Sequence, residues 1–246
     1  MNSIEQKLDA GDTGLEAAKE TYLRLKQEVS SWQEERGPVW IGSIHQAAAP
    51  PYYSLPDLPE EAVLELWQRL NLAGDGIEVS PEILRQLWRE FRQGRPIPET
   101  RLLSRLHLAL GGIVQMARES LAPDFGQDEQ SDGRCPVCGE EGGMALLLPP
   151  VGKRYLRCGI CGYERPVRAT GCLLCGSEDP RQQTYLEAPE YPGVTVAVCR
   201  DCGGRFKEFD LRRLVAEDIM WEDIRTLPLN YAAAKWLAEE RKEKTV

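Results

Sequence analysis

Four Cys-x-x-Cys pairs, all in the second half of a 246-residue chain, restrict what this sequence can fold into more than any other feature. Two cysteines at this spacing supply two thiolates from one tight turn, and two such turns close a tetrahedron around a single metal ion. Nineteen residues separate the first two pairs and 23 separate the last two, so the spacing predicts two tetrathiolate sites in tandem. The eight predicted ligands are Cys135, Cys138, Cys158, Cys161, Cys172, Cys175, Cys199 and Cys202.

A glycine directly follows the second cysteine of every pair. Glycine takes a positive φ without strain, so the chain can leave each turn with backbone N–H groups aimed at sulfur. Such donors would offset part of the negative charge of four thiolates on one ion. The four glycines are Gly139, Gly162, Gly176 and Gly203.

Other uses of the cysteines are disfavoured but stay open. Four disulfides are conceivable, yet a secreted disulfide domain is usually small and starts with a signal peptide, and this chain starts without an apolar segment. A thioredoxin-like redox site needs one motif at a strand-to-helix junction, not four before glycines. Pairs adjacent in sequence are expected to share an ion, with an interleaved arrangement as the alternative. Iron and zinc both accept four sulfur ligands, so the sequence does not choose between them.

Length and charge narrow the classes of function. A chain of 246 residues is expected to form one large or two medium domains. No stretch approaches the roughly 20 apolar residues that cross a bilayer, and the expected compartment is the cytoplasm, where thiols stay reduced. The net charge of −9 and the pI near 5.0 disfavour non-specific attraction to nucleic acid.

Apolar residues at helical spacing predict a helical domain over residues 1–121. Gly37-Pro38 should end its first helix, and Ser80 with Pro81 should open its third. Gly111-Gly112 weakens the case for one unbroken fourth helix. The predicted helices cover 14–35, 59–72, 81–93 and 99–121.

Two non-helical segments are predicted around these helices. The proline-rich residues 38–59 should form an extended connector, and the polar, acidic residues 122–134 should link two domains.

The cysteine-rich half has the pattern of an internal duplication. Each unit has the order turn, strand, loop, strand, turn and strand, over residues 135–171 and 172–209. Each unit is small, so a bound ion is expected to hold it together. Residues 210–246 should add helices, one capped by Asp210 and a second from about Asn230. The predicted strands are Met144–Leu148, Arg154–Arg157, Tyr163–Val167, Gln183–Glu187, Val194–Val198 and Arg205–Phe209.

The sequence argues against an enzyme, and no catalytic residue is predicted. The two histidines, His45 and His107, are expected to be structural. Known phosphate-binding and hydrolase motifs do not occur. Two filled sites would use every cysteine, and four thiolates leave no open position on a metal for a substrate.

A cluster of positive charge lies between the second and third cysteine pairs. It could dock an acidic or peptide partner, or it could be a solvated strand face that balances anionic metal sites. Its members, the candidate partner contacts, are Lys153, Arg154, Arg157, Arg165 and Arg168.

Five short segments together resemble the formate dehydrogenase accessory protein (FdhE) family. Four of them are the cysteine pairs with their flanks: Arg134-Cys-Pro-Val-Cys-Gly139, Arg154-Tyr-Leu-Arg-Cys-Gly-Ile-Cys161, Cys172-Leu-Leu-Cys175 and Cys199-Arg-Asp-Cys-Gly203. The fifth is Glu222-Asp-Ile-Arg-Thr-Leu-Pro-Leu-Asn230 near the carboxyl end. The resemblance covers about residues 134–232.

This resemblance implies an α+β fold, with a helical amino-terminal domain followed by two tandem rubredoxin-like or zinc-ribbon modules and carboxy-terminal helices. It implies a cytoplasmic maturation factor that binds the catalytic subunit of a formate dehydrogenase, a molybdenum or tungsten enzyme, with iron expected in the sites. Two other classes share the cysteine pairs, namely a zinc-ribbon protein that binds nucleic acid and a rubredoxin-type electron carrier. A nucleic-acid binder should carry a basic stripe with interleaved aromatics, and an electron carrier would not need a large helical domain.

Overall fold

The computed structural model describes residues 2–119, 121 and 133–243. The chain forms two compact units, Met1–Leu121 and Ala122–Val246. The predicted linker lies outside the described residues except for Gly133 and Arg134, as do the last three residues of the predicted carboxy-terminal segment. None of the helices in the described part of the chain has the length and apolarity that crossing a bilayer requires.

The amino-terminal unit is helical, as the sequence predicts. Its helices are α1 (Asn2–Ile41), α2 (Glu60–Asp75), α3 (Pro81–Arg92) and α4 (Thr100–Arg118).

The boundaries of these helices follow from a few residues. Gly37, with φ of 66°, interrupts α1 one residue before Pro38, where the sequence predicts a stop. The hydroxyl of Ser80 accepts the N–H of Ile83 at 3.4 Å and caps α3.

The glycine pair in α4 does not break the helix, because it serves close packing. A Cβ at Gly112 would lie 2.7 Å from Cγ1 of Val29 on α1, so only glycine lets the two helices approach this closely. Gln33 of α1 donates to the carbonyl oxygen of Gly112 at 2.7 Å across the same contact.

Three tryptophans with no exposed surface form the centre of this unit, namely Trp32, Trp67 and Trp88. The indole N–H of Trp67 donates to the carbonyl oxygen of Leu102 at 2.9 Å, so this polar group is satisfied inside the core. Near the surface, Arg105 of α4 binds Asp75 at 2.7 Å and joins α4 to the end of α2. The buried side chains that the structure describes in this unit include no cysteine.

The second unit contains one six-stranded sheet with the order β3-β2-β1-β6-β5-β4. Neighbouring strands are antiparallel except for the central pair, β1 and β6, which is parallel and places Leu146 beside Phe209. The two duplicated halves are thus fused into one sheet, which the sequence does not predict. The strands are β1 (Met144–Leu148), β2 (Lys153–Arg157), β3 (Glu164–Pro166), β4 (Gln183–Glu187), β5 (Val194–Cys199) and β6 (Arg205–Asp210).

The two faces of this sheet have different coverings. One face packs against helix α6 (Leu227–Glu243) through Leu229, Ala233 and Leu237. The other face carries a smaller apolar cluster that includes two of the predicted ligands: Ala145, Ala197 and Phe206 with Cys172 and Cys199. A metal site would therefore complete one face of the sheet.

The predicted helix after Asp210 is wrong. The Asp210 carboxylate instead accepts the backbone N–H and the guanidinium of Arg212, which holds a turn, and Val215 is 97% exposed. The next helix, α5, covers Ile219–Arg225 and is capped by Asp218, whose carboxylate accepts the N–H of Met220 at 2.9 Å.

Candidate metal centres

The structure gathers the first four cysteines into one buried cluster. Their sulfurs lie within 4.8 Å of one another, and all four residues are buried. Cys135 and Cys161 have sulfurs 3.6 Å apart, and those of Cys138 and Cys158 are 3.5 Å apart. The two pairs that are adjacent in sequence therefore meet in space.

The last four cysteines form a second cluster with the same plan. Their sulfurs also lie within 4.8 Å of one another. The sulfurs of Cys172 and Cys202 are 3.8 Å apart, as are those of Cys175 and Cys199. In both clusters the first cysteine of one pair lies close to the second cysteine of the other, and no sulfur is shared between the clusters.

Both clusters fit a tetrahedral ion. Four sulfurs about 2.3 Å from a metal lie about 3.8 Å apart along each edge of a tetrahedron, and the closest separations of 3.5–3.8 Å agree with that edge. A disulfide bond is far shorter, about 2.05 Å. The geometry thus matches four thiolates around one ion in each cluster.

All four turns have the same backbone geometry. In each, the N–H of the first cysteine donates to the carbonyl oxygen five residues later, as from Cys135 to Glu140 at 2.9 Å and from Cys172 to Ser177 at 2.8 Å. The N–H of the following glycine returns to the carbonyl oxygen of the first cysteine, as from Gly139 to Cys135 at 2.8 Å. These two bonds close each turn without any contribution from side chains.

The glycine after each pair has the predicted positive φ, between 67° and 80°. Its own N–H closes the turn, and other backbone N–H groups donate to sulfur, as predicted. The N–H groups that donate to sulfur belong to neighbouring residues, such as Ile160 to Cys158 at 3.4 Å and Leu174 to Cys172 at 3.4 Å. Gly204 donates to Cys202 at 3.3 Å.

The two clusters differ in exposure. Every cysteine of the first is buried, whereas Cys175 and Cys202 of the second are exposed. The residues between the cysteines differ in exposure in the same way. Val137, in the first turn, has no exposed surface, while the fourth turn carries Arg200 and Asp201 and is partly solvated.

The close sulfurs and their burial change the pKa values of several thiols in each cluster. In the first cluster, the hydrogen bond with Cys135 raises the pKa of Cys138 and lowers the pKa of Cys158. In the second, burial raises the pKa of the Cys172 thiol and raises the pKa of Cys202 to about 12. Because only thiolates ligate, metal binding must displace these protons.

The basic segment does not form one exposed patch. Arg154 and Arg165 are each 2% exposed, and Arg165 donates to the carbonyl oxygen of Arg134 at 3.3 Å. Burial removes these two residues from the predicted set of partner contacts. Arg157 is half-buried against Glu164, so Lys153 and Arg168 are the members that remain exposed.

Arg154 instead connects the two halves of the sheet. Its Nε donates to Glu208 on β6 at 2.8 Å, and its Nη1 donates to the carbonyl oxygen of Gly171 at 3.1 Å. Its guanidinium lies 5.2 Å from the ring centroid of Phe206. Arg154 lies on β2, which leads into Cys158, and Gly171 directly precedes Cys172. This side chain therefore joins the supports of the two clusters, a role that sequence spacing could not indicate.

Neither histidine belongs to a metal cluster. His107 packs edge-on against Phe91, with ring centroids 6.4 Å apart, and burial lowers the pKa of His107. His45 is exposed. In the described part of the chain, the two cysteine clusters are the groups of three or more metal-ligating side chains that could hold an ion.

The segment from Glu222 to Asn230, which resembles FdhE proteins, anchors α5 to the sheet. Lys207 of β6 is 3% exposed and binds Asp223 at 2.8 Å. Thr226 is fully buried, and its hydroxyl donates to the carbonyl oxygen of Glu222 at 2.6 Å. The segment therefore has a structural use in this chain.

Comparison with known proteins supports the resemblance to FdhE proteins. No family model matches the chain. The Protein FdhE homolog of Aquifex aeolicus (strain VF5) is 29% identical over 101 residues, which are 39% of this chain and 35% of that protein. The match thus spans about a third of the length of that curated relative, and it confirms the resemblance to FdhE proteins.

A solved FdhE structure can be aligned with this chain. The crystal structure of the FdhE protein from Pseudomonas aeruginosa aligns with a TM-score of 0.47 at 22% identity, over 72% of this chain and 68% of that one. This likeness is too weak to assign a function to this chain.

Proposed function

We propose that this protein is a cytoplasmic accessory factor that binds the catalytic subunit of a formate dehydrogenase and supports its assembly or activation. The observation that carries the proposal is the pair of four-cysteine clusters in a chain whose sequence resembles FdhE proteins. The protein acts by binding and not by catalysis.

The geometry of the clusters supports a binding role. Four sulfurs at tetrahedral separations leave no open coordination position at which a substrate could be activated. The turns are closed by their own backbone bonds, so they present neighbouring side chains in fixed positions. A fixed surface loses little conformational entropy on binding, which suits a factor that must recognise a partner and then release it.

An iron or zinc ion in each cluster would cross-link two turns, and iron would add a one-electron couple. Cys135, Cys138, Cys158 and Cys161 would hold the ion of the first cluster. Cys172, Cys175, Cys199 and Cys202 would hold the ion of the second. The backbone N–H groups of Ile160, Leu174 and Gly204 donate to three of these sulfurs and would offset part of their negative charge as thiolates.

The proposed contact surface includes the exposed ends of the basic segment. Lys153 lies over the Tyr155 ring at 5.4 Å, and Arg168 pairs with Glu178. Both cations are exposed, so they can contact an acidic region of a partner.

Co-purification tests this proposal. Tagged protein isolated from its host should bring down the catalytic subunit of a formate dehydrogenase, and a deletion strain should lose formate dehydrogenase activity. The double substitution Lys153→Glu with Arg168→Glu should weaken the capture. Lys235→Glu, which changes an exposed lysine on α6, is the matched control. Normal activity in the deletion strain together with no captured subunit would overturn the proposal.

The exposed second cluster favours one alternative, a rubredoxin-like electron carrier, because exposed ligand sulfurs bring an electron partner close to the metal. An absorption spectrum and metal analysis on protein from the native host distinguish this carrier from the proposed accessory factor. Reversible cycling of bound iron with a redox partner favours the carrier. Salt-sensitive binding to DNA or RNA would instead favour the zinc-ribbon class, which the acidic composition disfavours.

A further inference from the structure

The second cluster differs from the first in one chemically decisive respect, which is access to its sulfurs. Cys175 and Cys202 are exposed, while Cys172 and Cys199 are buried beneath them. In the first cluster all four cysteines are buried. A reagent dissolved in water can therefore reach ligand sulfur in the second cluster, whereas the first offers it no exposed cysteine.

Each exposed cysteine also has a buried cysteine within reach. Cys175 lies 3.8 Å from Cys199, and Cys202 lies 3.8 Å from Cys172. These are contacts between different turns. A sulfur that is oxidised at the surface therefore has a second thiolate directly behind it.

We propose that the second cluster is a peroxide-sensitive metal site, in which Cys175 and Cys202 are the cysteines oxidised first and the ion is released while the first cluster keeps its own. The reagent class is a hydroperoxide, such as hydrogen peroxide. This inference does not depend on the partner proposed above.

The chemistry is a two-electron oxidation of two thiolates. The sulfur of Cys175 attacks one oxygen of hydrogen peroxide, the O–O bond breaks, hydroxide leaves and a sulfenic acid forms. The thiolate of Cys199 then attacks that sulfur, the S–O bond breaks, a second hydroxide leaves and a disulfide forms. Two electrons pass from the sulfurs to the peroxide. Cys202 and Cys172 can react in the same way.

Loss of two ligands opens one side of the second cluster. The ion then keeps two of its four thiolates and dissociates. The fused sheet restricts the change to the turns, because the opposite face of the sheet stays packed on α6 through Leu229, Ala233 and Leu237. Reduction of the disulfide regenerates the site, so the change is reversible.

The experiment uses the full chain loaded with two equivalents of zinc. Zinc has no redox chemistry of its own, so every electron must come from sulfur. One equivalent of hydrogen peroxide is added, zinc release is followed with a chromogenic chelator, and free thiols are alkylated and mapped by mass spectrometry. We expect one ion to leave at least about tenfold faster than the other, since oxidation follows exposure, with modification confined to Cys172, Cys175, Cys199 and Cys202.

Two double variants at matched positions assign the fast release. Cys138→Ser with Cys161→Ser replaces the second cysteine of both turns in the first cluster and should retain the fast phase. Cys175→Ser with Cys202→Ser replaces the second cysteine of both turns in the second cluster, which are its two exposed cysteines, and should abolish it. If the second double variant does not fold, the thiol map of the unaltered protein still decides the matter.

Simultaneous release of both ions, or equal oxidation of Cys135, Cys138, Cys158 and Cys161, overturns the proposal. Resistance of all eight cysteines to peroxide overturns it as well. Recovery of zinc binding after treatment with dithiothreitol supports the disulfide, because sulfinic acids would not be reduced.

Discussion

The two units of this chain bury their apolar side chains in different ways. The helical unit has three tryptophans with no exposed surface at its centre. The sheet unit closes one face against α6 and the other against residues that include Cys172 and Cys199. The difference shows that one face of the sheet packs on groups whose positions a metal ion would fix, whereas the described buried residues of the helical unit include no cysteine.

Removal of metal should have the largest effect on this difference between the two units. Structural zinc contributes about 10–16 kcal/mol of apparent binding free energy in small zinc-binding peptides, so chelation without denaturant should disorder the four cysteine turns. The helical unit should keep its circular dichroism, because its described buried residues include no predicted metal ligand. Hydrogen exchange located by mass spectrometry measures both. Collapse of the helical signal would show that the units share one core.

A core substitution in the helical unit tests whether metal binding in the sheet unit is independent of the stability of the helical unit. Trp67→Ala should lower the free energy of unfolding of that unit by about 3–5 kcal/mol, because it removes a fully buried ring. The metal content should not change. Trp67→Phe, which keeps a ring and loses the hydrogen bond to Leu102, is the milder control. Loss of bound metal in Trp67→Ala would contradict independent units.

Arg154 provides a test within the sheet unit. Arg154→Met leaves the carboxylate of Glu208 without its buried partner and should destabilise the sheet unit by about 3–5 kcal/mol. The metal of the second cluster should bind more weakly, since Gly171 loses a donor next to Cys172. Arg168→Met, at an exposed ion pair, should cost about 1 kcal/mol or less. Equal effects of the two substitutions would show that Arg154 does not join the halves.

Acid should affect the helical unit through Asp75. The hydrogen bond from Arg105 lowers the pKa of Asp75 below its ordinary value of 3.8. The folded state therefore favours the carboxylate, and this stabilisation is present above pH 3.8 and is lost as the pH falls through the lower folded pKa. Asp75→Asn should be less stable than the unaltered protein at pH 7 and should converge with it below pH 3.8. A constant difference between the two across this range would contradict the assignment.

The sequence predicts local features of this molecule well. All six strands occur within one residue of their predicted ends at each boundary, because alternation and the cysteine turns mark them. The positive φ of the glycines after the cysteine pairs also follows from residue type alone. The two cysteine turns of each cluster come together because the antiparallel strand pair between them, β1 with β2 or β4 with β5, brings the chain back to the first turn.

Long-range features could not be read in the same way. The parallel contact between β1 and β6 joins residues more than 60 positions apart, as Ala145 and Glu208 show, and no local pattern marks it. The burial of Arg154 follows from that contact, because Arg154 donates to Glu208 on β6. Arg165 is buried elsewhere, where it donates to the carbonyl oxygen of Arg134, so a run of basic residues gave a misleading picture of an exposed patch. The failed helix after Asp210 has a local cause, since Arg212 takes up the carboxylate that a helix cap would need.

The most direct test of this account is the metal content of the protein and of one double variant. The unaltered chain should hold two ions. Cys135→Ser with Cys138→Ser should hold one, and the remaining ion should stay bound through Cys172, Cys175, Cys199 and Cys202, because the two clusters share no ligand. Elemental analysis with thiol titration measures both. One ion in the unaltered chain, or two ions in the double variant, would contradict two centres built from adjacent cysteine pairs.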